Sequence, residues 1–243
     1  MSDPYMSNPY FRFKQFTVYH DRCAMKVGTD GVLLGAWASV EKATAVLDVG
    51  TGSGLIALML AQRNSRASVT AIDIDVKALA QAEENIKASP FSERIAVTHS
   101  AFQPFAIGCS ASYDLIVSNP PFFTRSLLPP DAGRAHARHS VSLSLDELLQ
   151  GSLRCLSPDG CLALILPAGR LGELVQRSAT AGFTLRRLTY VFPVPGAPAR
   201  RVLAELSLMQ GPPVEETGLV IEEPGHRYSD AFTDLVRDFY LYL

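Results

Sequence analysis

Asn119-Pro120-Pro121-Phe122 is the stretch of this sequence whose residue types most directly suggest chemistry. It follows the apolar run Tyr113-Asp114-Leu115-Ile116-Val117-Ser118, so a strand is expected to end where a rigid, aromatic-flanked turn begins. The two prolines fix φ and carry no N–H, and a residue before proline is held extended. The carbonyls of Asn119 and Pro120 therefore point in set directions and only accept. The Asn119 side-chain oxygen and the Pro120 backbone oxygen can together accept both hydrogens of a planar NH2, while Phe122 stacks on the π-face beside it. Such a pocket suits an amino group conjugated to a ring or a carbonyl. A plain strand-terminating turn is the competing reading of Asn-Pro-Pro taken alone, and the upstream sequence weighs against it.

There, Ala45-Val46-Leu47-Asp48-Val49 runs into Gly50-Thr51-Gly52-Ser53-Gly54 and then into a helical pattern near Leu55. Glycines permit tight turning and close approach of backbone to a ligand, and a helix start offers free N–H groups. The next apolar run ends at Asp73, roughly 20 residues past the first glycine, where a carboxylate can accept from both hydroxyls of a ribose. These features point to a nucleoside ligand. Nicotinamide dinucleotides use the same devices, but their loop reads GxGxxG, whereas this one reads GxGxG with Asp48 two residues ahead. The spacing favours S-adenosylmethionine as cofactor. Asp48, Gly50, Thr51, Gly52 and Asp73 are its candidate ligands, with Asn119 serving both cofactor and acceptor.

The elements that must hold these residues alternate along the chain. Apolar β-type runs near 45–49, 69–74, 95–98, 113–118 and 161–166 are separated by helical patterns at 53–63, 75–88 and 144–156. Alternation of this kind predicts an α/β, doubly wound, mostly parallel sheet with helices on both faces. Two further strand-like runs, 184–192 and 202–209, are joined by an exposed proline-rich loop from Pro193 to Pro198, and a short piece at 218–222 and a helix from about Ser229 close the chain. Residues 1–11 read as a flexible N-terminus, Phe11 to Tyr19 alternates as a strand does, and the pattern turns helical from Thr29. Residues 12–243 are expected to form one catalytic domain, with 12–40 as an N-terminal extension toward cofactor and substrate.

Composition narrows the classes. A chain of 243 residues that is 47% hydrophobic can bury one sizeable core. Its net charge of −2 gives no overall nucleic-acid signature, but charge is unevenly spread: residues 170–201 carry six arginines against Glu173, and residues 215–243 carry seven acids against Arg227 and Arg237. Ordinary solvated helix surface is the preferred reading of such runs, and a basic face beside an acidic one is the alternative. Cys23, Cys109, Cys155 and Cys161 form no CxxC pair and have no histidine at zinc spacing, which predicts a reduced, metal-free cytoplasmic protein. No signal pattern opens the sequence, and no run reaches the ~18 apolar residues of a membrane span, so solubility is expected.

An acidic strand residue followed by GxGxG, and then NPP followed by an aromatic, resemble the first and fourth motifs of the class I methyltransferases. That resemblance implies a Rossmann-like, seven-stranded sheet. It also implies that Gly50 and Gly52 pass under the cofactor, Asp73 holds the ribose, and the NPP turn binds the nitrogen to be methylated. The family's polar adenine-binding residue after the third strand is here Ala101, so Phe102 and backbone groups are expected to take its place.

The segment from Phe13 to Ala38, FKQFTVYHDRCAMKVGTDGVLLGAWA, is similar to the opening of the bacterial tRNA1(Val) (adenine(37)-N6)-methyltransferase family. The likeness continues through the glycine loop, the NPP turn, Ala135 to Leu145, Arg201-Val202-Leu203 and the closing Tyr228-Ser229 to Phe239-Tyr240-Leu241. It implies methyl transfer from S-adenosylmethionine to N6 of the adenosine beside a valine-tRNA anticodon; the protein is expected to act as a monomer and without metal. Lys26, Thr29 and Asp30 would then sit beside the methionine end of the cofactor. Phe122 stands where that family is expected to have tyrosine, which keeps the stacking and loses one hydroxyl. Phosphate-binding candidates are Arg12, Lys14, Arg134, Arg138 and Arg201. His20, His136 and His139 lack triad partners and receive no catalytic role. The turn alone does not separate adenine N6 from guanine N2 of ribosomal RNA or a protein glutamine amide. A nucleoside-binding module without chemistry is the non-enzymatic alternative.

Overall fold

Along β3 (Ala45–Val49) the side chains of Val46 and Leu47 point to opposite faces, and each is fully buried in a different apolar cluster. A strand buried on both faces belongs in the middle of a sheet covered by helices on each side. The structure is a computed structural model, and it describes residues 8–23, 25–120, 143–211 and 214–243.

From β3 the chain runs through α2 (Leu55–Arg63), β4 (Ser68–Asp73), α3 (Val76–Lys87), β5 (Ile95–His99), α4 (Phe102–Ile107) and β6 (Tyr113–Ser118). After the segment outside the described residues come α5 (Leu145–Cys155), β7 (Leu156–Pro167), α6 (Leu171–Thr180), β8 (Thr184–Phe192), β9 (Arg201–Ser207) and β10 (Glu215–Val220). Ahead of β3 stand β1 (Tyr10–Arg12), β2 (Thr17–Tyr19) and α1 (Thr29–Trp37), and a two-stranded pair, β11 (Glu222–Glu223) with β12 (Arg227–Tyr228), precedes α7 (Asp230–Val236).

The main sheet has the order β10-β8-β9-β7-β6-β3-β4-β5 and is parallel except for β9, which runs against both its neighbours. It contains eight strands where seven were expected. The extra strand is β10, which adds parallel to β8 from Glu215↔Arg187 to Val220↔Phe192 and lies mostly in solvent. The alternating stretch from Phe11 to Tyr19 is not one strand but an antiparallel hairpin with Tyr10↔Tyr19 and Arg12↔Thr17 opposed, turning at 13–16 where Phe13 N–H donates to the Phe16 carbonyl at 2.8 Å. Its first strand includes Tyr10 and Phe11, which were expected to belong to the flexible start.

One face of the sheet is covered by α1, α2, α3 and α7, through Leu33, Leu58, Ile86 and Phe232. The other is covered by α4, α5 and α6, through Phe102, Leu149 and Leu174. Strand order turns back between β3 and β6: β3 leads outward to β4 and β5, β6 to β7. At such a switch point the loops beyond the carboxyl ends of adjacent strands diverge and leave a crevice. Gly50 follows β3 and Asn119 follows β6, so both border it.

Candidate active site

The loop after β3 takes its shape from three left-handed glycines, Gly50, Gly52 and Gly54, with φ of 74°, 56° and 82°. Two backbone donors, Gly50 N–H and Thr51 N–H, reach the Ile72 carbonyl at 2.9 and 3.0 Å and tie the loop to the end of β4. A β-carbon at Gly50 or Gly52 would meet nothing within 4 Å, so the loop's outer side opens on free space. Beneath it Asp48 is fully buried; its Oδ2 accepts from the Thr51 hydroxyl at 2.7 Å, and burial pushes its carboxyl up to about 7. Asp48 thus shapes the loop from below and is absent from the cavity wall.

Asp73 ends β4 beside this loop. Its Oδ2 accepts from Gly52 N–H at 2.8 Å and its Oδ1 from Asp75 N–H at 2.9 Å. Two backbone bonds hold the carboxylate in one orientation, and each oxygen keeps a lone pair for a further donor. On the opposite side of the crevice the Ser118 hydroxyl donates to the Val49 carbonyl at 2.9 Å, locking the end of β6 to the end of β3 just before Asn119 and Pro120.

These pieces enclose a cavity of about 580 Å³. Of the residues expected to serve it, Lys26, Thr29, Asp30, Gly50, Thr51, Gly52, Asp73, Phe102, Asn119 and Pro120 all stand in its wall. Phe102 was expected, with backbone groups, to stand in for the family's polar adenine-binding residue. It is almost wholly buried, and its ring packs so tightly on α5 that a β-carbon at Gly151 would overlap it. Ala101, the N-cap residue of α4, borders the cavity with it. Helix starts leave first-turn N–H groups without intrahelical partners, and the side chains of Ser100 and Gln103 stand in the same stretch of wall.

Cys23, Met25 and Ile74 also line the cavity and were not singled out in the sequence. Ile74 is 44% exposed directly after Asp73. The signal the sequence held for it was an apolar residue placed directly after the strand-ending Asp73. Burial pushes the Cys23 thiol up to about 11, so it stays protonated and is no nucleophile.

Three of the expected residues, Phe122, Arg134 and Arg138, lie outside the described residues, as do His136 and His139. Arg201, expected to meet RNA, is ion-paired to Asp30 at 2.8 Å. Lys14 stands away from the cavity: its Nζ donates to the Arg237 carbonyl, and it borders a small polar recess with Gln62 and Arg63 at the far end of α2. Arg12 is exposed on β1. The arginine-rich run from 170 to 201 is partly neutralised, both within itself and from elsewhere in the fold. Arg170 pairs with Glu173, Arg177 with Asp146, and Arg187 faces the buried Glu205 at 3.7 Å and lies over the Trp37 ring. Among the described residues no three histidine, cysteine or acidic side chains gather as metal ligands would, and no helix is long and apolar enough to cross a membrane.

Comparison with known proteins agrees with this geometry. Residues 26–169 match the family model described as Methyltransferase small domain. A Parabacteroides distasonis protein named tRNA1(Val) (adenine(37)-N6)-methyltransferase is 51% identical over 236 residues, covering 97% of this chain and 99% of its own length. One from Trichodesmium erythraeum with the same name is 44% identical over 238 residues, again with 97% and 99% covered. Among solved structures, a predicted O-methyltransferase from Agrobacterium tumefaciens superposes with a TM-score of 0.68 at 20% identity, over 86% of this chain and 96% of that one, which speaks to the fold.

Proposed function

The chain belongs to the tRNA1(Val) (adenine(37)-N6)-methyltransferase family, and we propose that it transfers a methyl group from S-adenosylmethionine to N6 of adenosine 37, beside the anticodon of that tRNA. The observation that carries this reading is the sharing of one cavity by the glycine loop, Asp73 and the Asn119-Pro120 turn.

The residues present fit the cofactor. Gly50 and Gly52 leave open space above the loop, Asp73 offers two oriented carboxylate oxygens for ribose hydroxyls, and Ile74 offers an apolar bed for a base. Lys26, Thr29 and Asp30 line the wall formed by the N-terminal extension, where the methionine end would lie. When bound, the cofactor supplies a methyl group activated by a sulfonium charge.

Asn119 and Pro120 do the remaining work by position. Their oxygens accept the two hydrogens of the adenine amino group and aim its nitrogen into the cavity. As that nitrogen forms its bond to the methyl carbon, and the carbon's bond to sulfur breaks, it gains positive charge, which fixed carbonyl dipoles stabilise more than they stabilise the neutral amine. The methylated nitrogen then gives up one proton to water. No covalent enzyme intermediate is needed, because orientation and electrostatics suffice for a direct displacement. The base must leave its stack to enter, and Phe122 is assigned to replace part of that stacking, at ~1–3 kcal/mol. Arg12, Lys14, Arg134, Arg138 and Arg201 are assigned to RNA phosphates, and the protein is assigned to act as a monomer.

The test is product identity. Purified protein, labelled cofactor and total tRNA should yield N6-methyladenosine on nucleoside mass spectrometry, and tRNA from a deletion strain should lack it in the valine species. Label that survives ribonuclease and is released by protease would overturn the reading in favour of a protein amide. Label recovered on guanine N2 would overturn it in favour of another base.

A further inference from the structure

On the β1–β2 hairpin, residues alternate between two sides. Phe11 and Val18 face inward, where the Phe11 ring packs against Phe13 and Tyr240 at 4.7 and 5.5 Å between centroids. Tyr10, Arg12, Thr17 and Tyr19 share the outer side. The two tyrosines form a ring pair 5.5 Å apart and are 40% and 48% exposed. The inner side already supplies the packing that fixes the hairpin, so burial does not account for the aromatic outer side. Paired rings in solvent, next to a cation and with no carboxylate among the four residues, match the surface that stacks on unpaired bases.

The hairpin's position agrees. Asn85 of α3 is buried and grips Tyr19 on both backbone groups, accepting its N–H at 2.9 Å and donating to its carbonyl at 2.8 Å. The same Asn85 amide donates to the carbonyl of Ser53, a residue of the cavity wall, at 2.9 Å. Tyr19 is thus one side chain away from the cofactor loop. Four residues later the chain itself enters the cavity wall at Cys23, held by Gln81, whose Oε1 accepts Arg22 N–H at 2.8 Å. The hairpin's turn, by contrast, lies toward the far end of α2, where Lys14 is held. The tyrosine pair therefore occupies the end of the hairpin nearest the site.

We propose that the outer face of this hairpin, carrying Tyr10, Tyr19 and Arg12, is a stacking platform for unpaired bases of the substrate RNA next to the acceptor nucleotide. This rests on the reading of the protein as a tRNA methyltransferase. Tyr10 and Tyr19 supply π-faces that tolerate any base, Arg12 supplies a phosphate contact, and Asn85 fixes the platform's distance from the cavity.

The test compares the full chain with Tyr10→Ala/Tyr19→Ala, Tyr10→Phe/Tyr19→Phe and Arg12→Ala. For the alanine pair, KM for tRNA should rise at least about tenfold, while kcat at saturating tRNA and calorimetric affinity for S-adenosylmethionine stay within about twofold of the parent. The phenylalanine pair should keep the parent's KM, since it keeps the rings. Arg12→Ala should lower the steepness of the salt dependence of RNA binding by about one contact. An unchanged KM in the alanine pair overturns the platform and leaves the face to a protein partner. An equal loss in the phenylalanine pair also overturns it, because hydroxyl contacts would then be responsible. Filter binding of tRNA without cofactor separates the two readings. If the parent methylates no tRNA, the proposed function fails, and the platform still stands if retention falls in the alanine pair and falls with the function if retention does not.

Discussion

Arg201 Nε donates to Asp30 Oδ2 at 2.8 Å, joining the first residue of β9 to the first turn of α1 across 171 positions of sequence. Asp30 belongs to the cavity wall. The register places Arg201 opposite Pro167, at the carboxyl end of β7, so it lies at the same end of the parallel strands as Asn119. One residue expected to serve the cofactor and one expected to serve RNA are thus partners at the rim of a single cavity.

Because the two side chains are 37% and 34% exposed, water screens the pair, and its coupling should fall below ~1 kcal/mol. A double-mutant cycle of Arg201→Ala and Asp30→Ala, read by urea unfolding, should return that small value. Arg201→Ala should meanwhile raise KM for tRNA several-fold and leave cofactor affinity unchanged. A coupling of ~3 kcal/mol, of the kind seen for buried pairs, would make the contact structural and remove Arg201 from the RNA surface.

Asn119→Ala removes one of the two oxygens assigned to the amino group and should cost ~3 kcal/mol of transition-state stabilisation, roughly a hundredfold in kcat. Single-turnover methyl transfer with bound cofactor measures this step directly. Cofactor affinity should change far less, since the glycine loop and Asp73 remain. Turnover equal to that of the parent would falsify the assignment of Asn119 to the reacting nitrogen.

Gly50→Ala places a methyl group in the open space above the loop at a φ of 74°. The backbone cost is ~1–2 kcal/mol, and the methyl intrudes on the space proposed for the cofactor. Gly182 provides the control: its φ is 88°, it too has free space around it, and it lies outside the cavity wall. Gly50→Ala and Gly182→Ala should lose similar stability, while only Gly50→Ala should lose more than about tenfold in cofactor affinity by calorimetry. Equal affinity in both would mean that no ligand crosses Gly50.

The parts of this site that could be read in the sequence are those made by neighbours in the chain. Asp48, the glycine loop and the Asn119-Pro120 turn each sit at the carboxyl end of a strand whose apolar run marks it. The Asp73 contact with Gly52 follows from two such ends lying side by side. What could not be read depends on distant partners. The arginine-rich run left a basic face and an ordinary solvated surface both open because charge was summed along the chain, and the sheet brings Glu205 to Arg187 while α5 brings Asp146 to Arg177. β10 was missed because Glu215-Glu216-Thr217-Gly218 is an exposed edge with no apolar alternation to show it. The hairpin turn at Lys14-Gln15 carries no glycine, proline or asparagine, so Phe11 to Tyr19 read as one strand. Asn85 and Gln81, which place the extension against α3, looked like the polar side of a helix.

Asp48 sets a pH dependence whose sign can be worked out. The carboxyl is wholly buried, its Oδ1 has no hydrogen-bond partner among the described residues, and burial pushes its pKa up to about 7 from an ordinary 3.8. Below pH ~4 the group is protonated both folded and unfolded, so the folded protein keeps the full benefit of a neutral buried acid. Between ~4 and ~7 the unfolded chain has released its proton while the folded chain retains it. The unfolded state then binds fewer protons, and stability falls as pH rises; above ~7 the slope vanishes. The total change is on the order of 4 kcal/mol. Asp48→Asn cannot titrate and keeps a planar group beside Thr51. In urea unfolding of parent and variant at several pH values, the difference should move steadily in the variant's favour from pH ~4 to ~7 and stay level beyond. A difference independent of pH would show that Asp48 ionises like an exposed carboxylate, and that the loop is not held from below by a protonated acid.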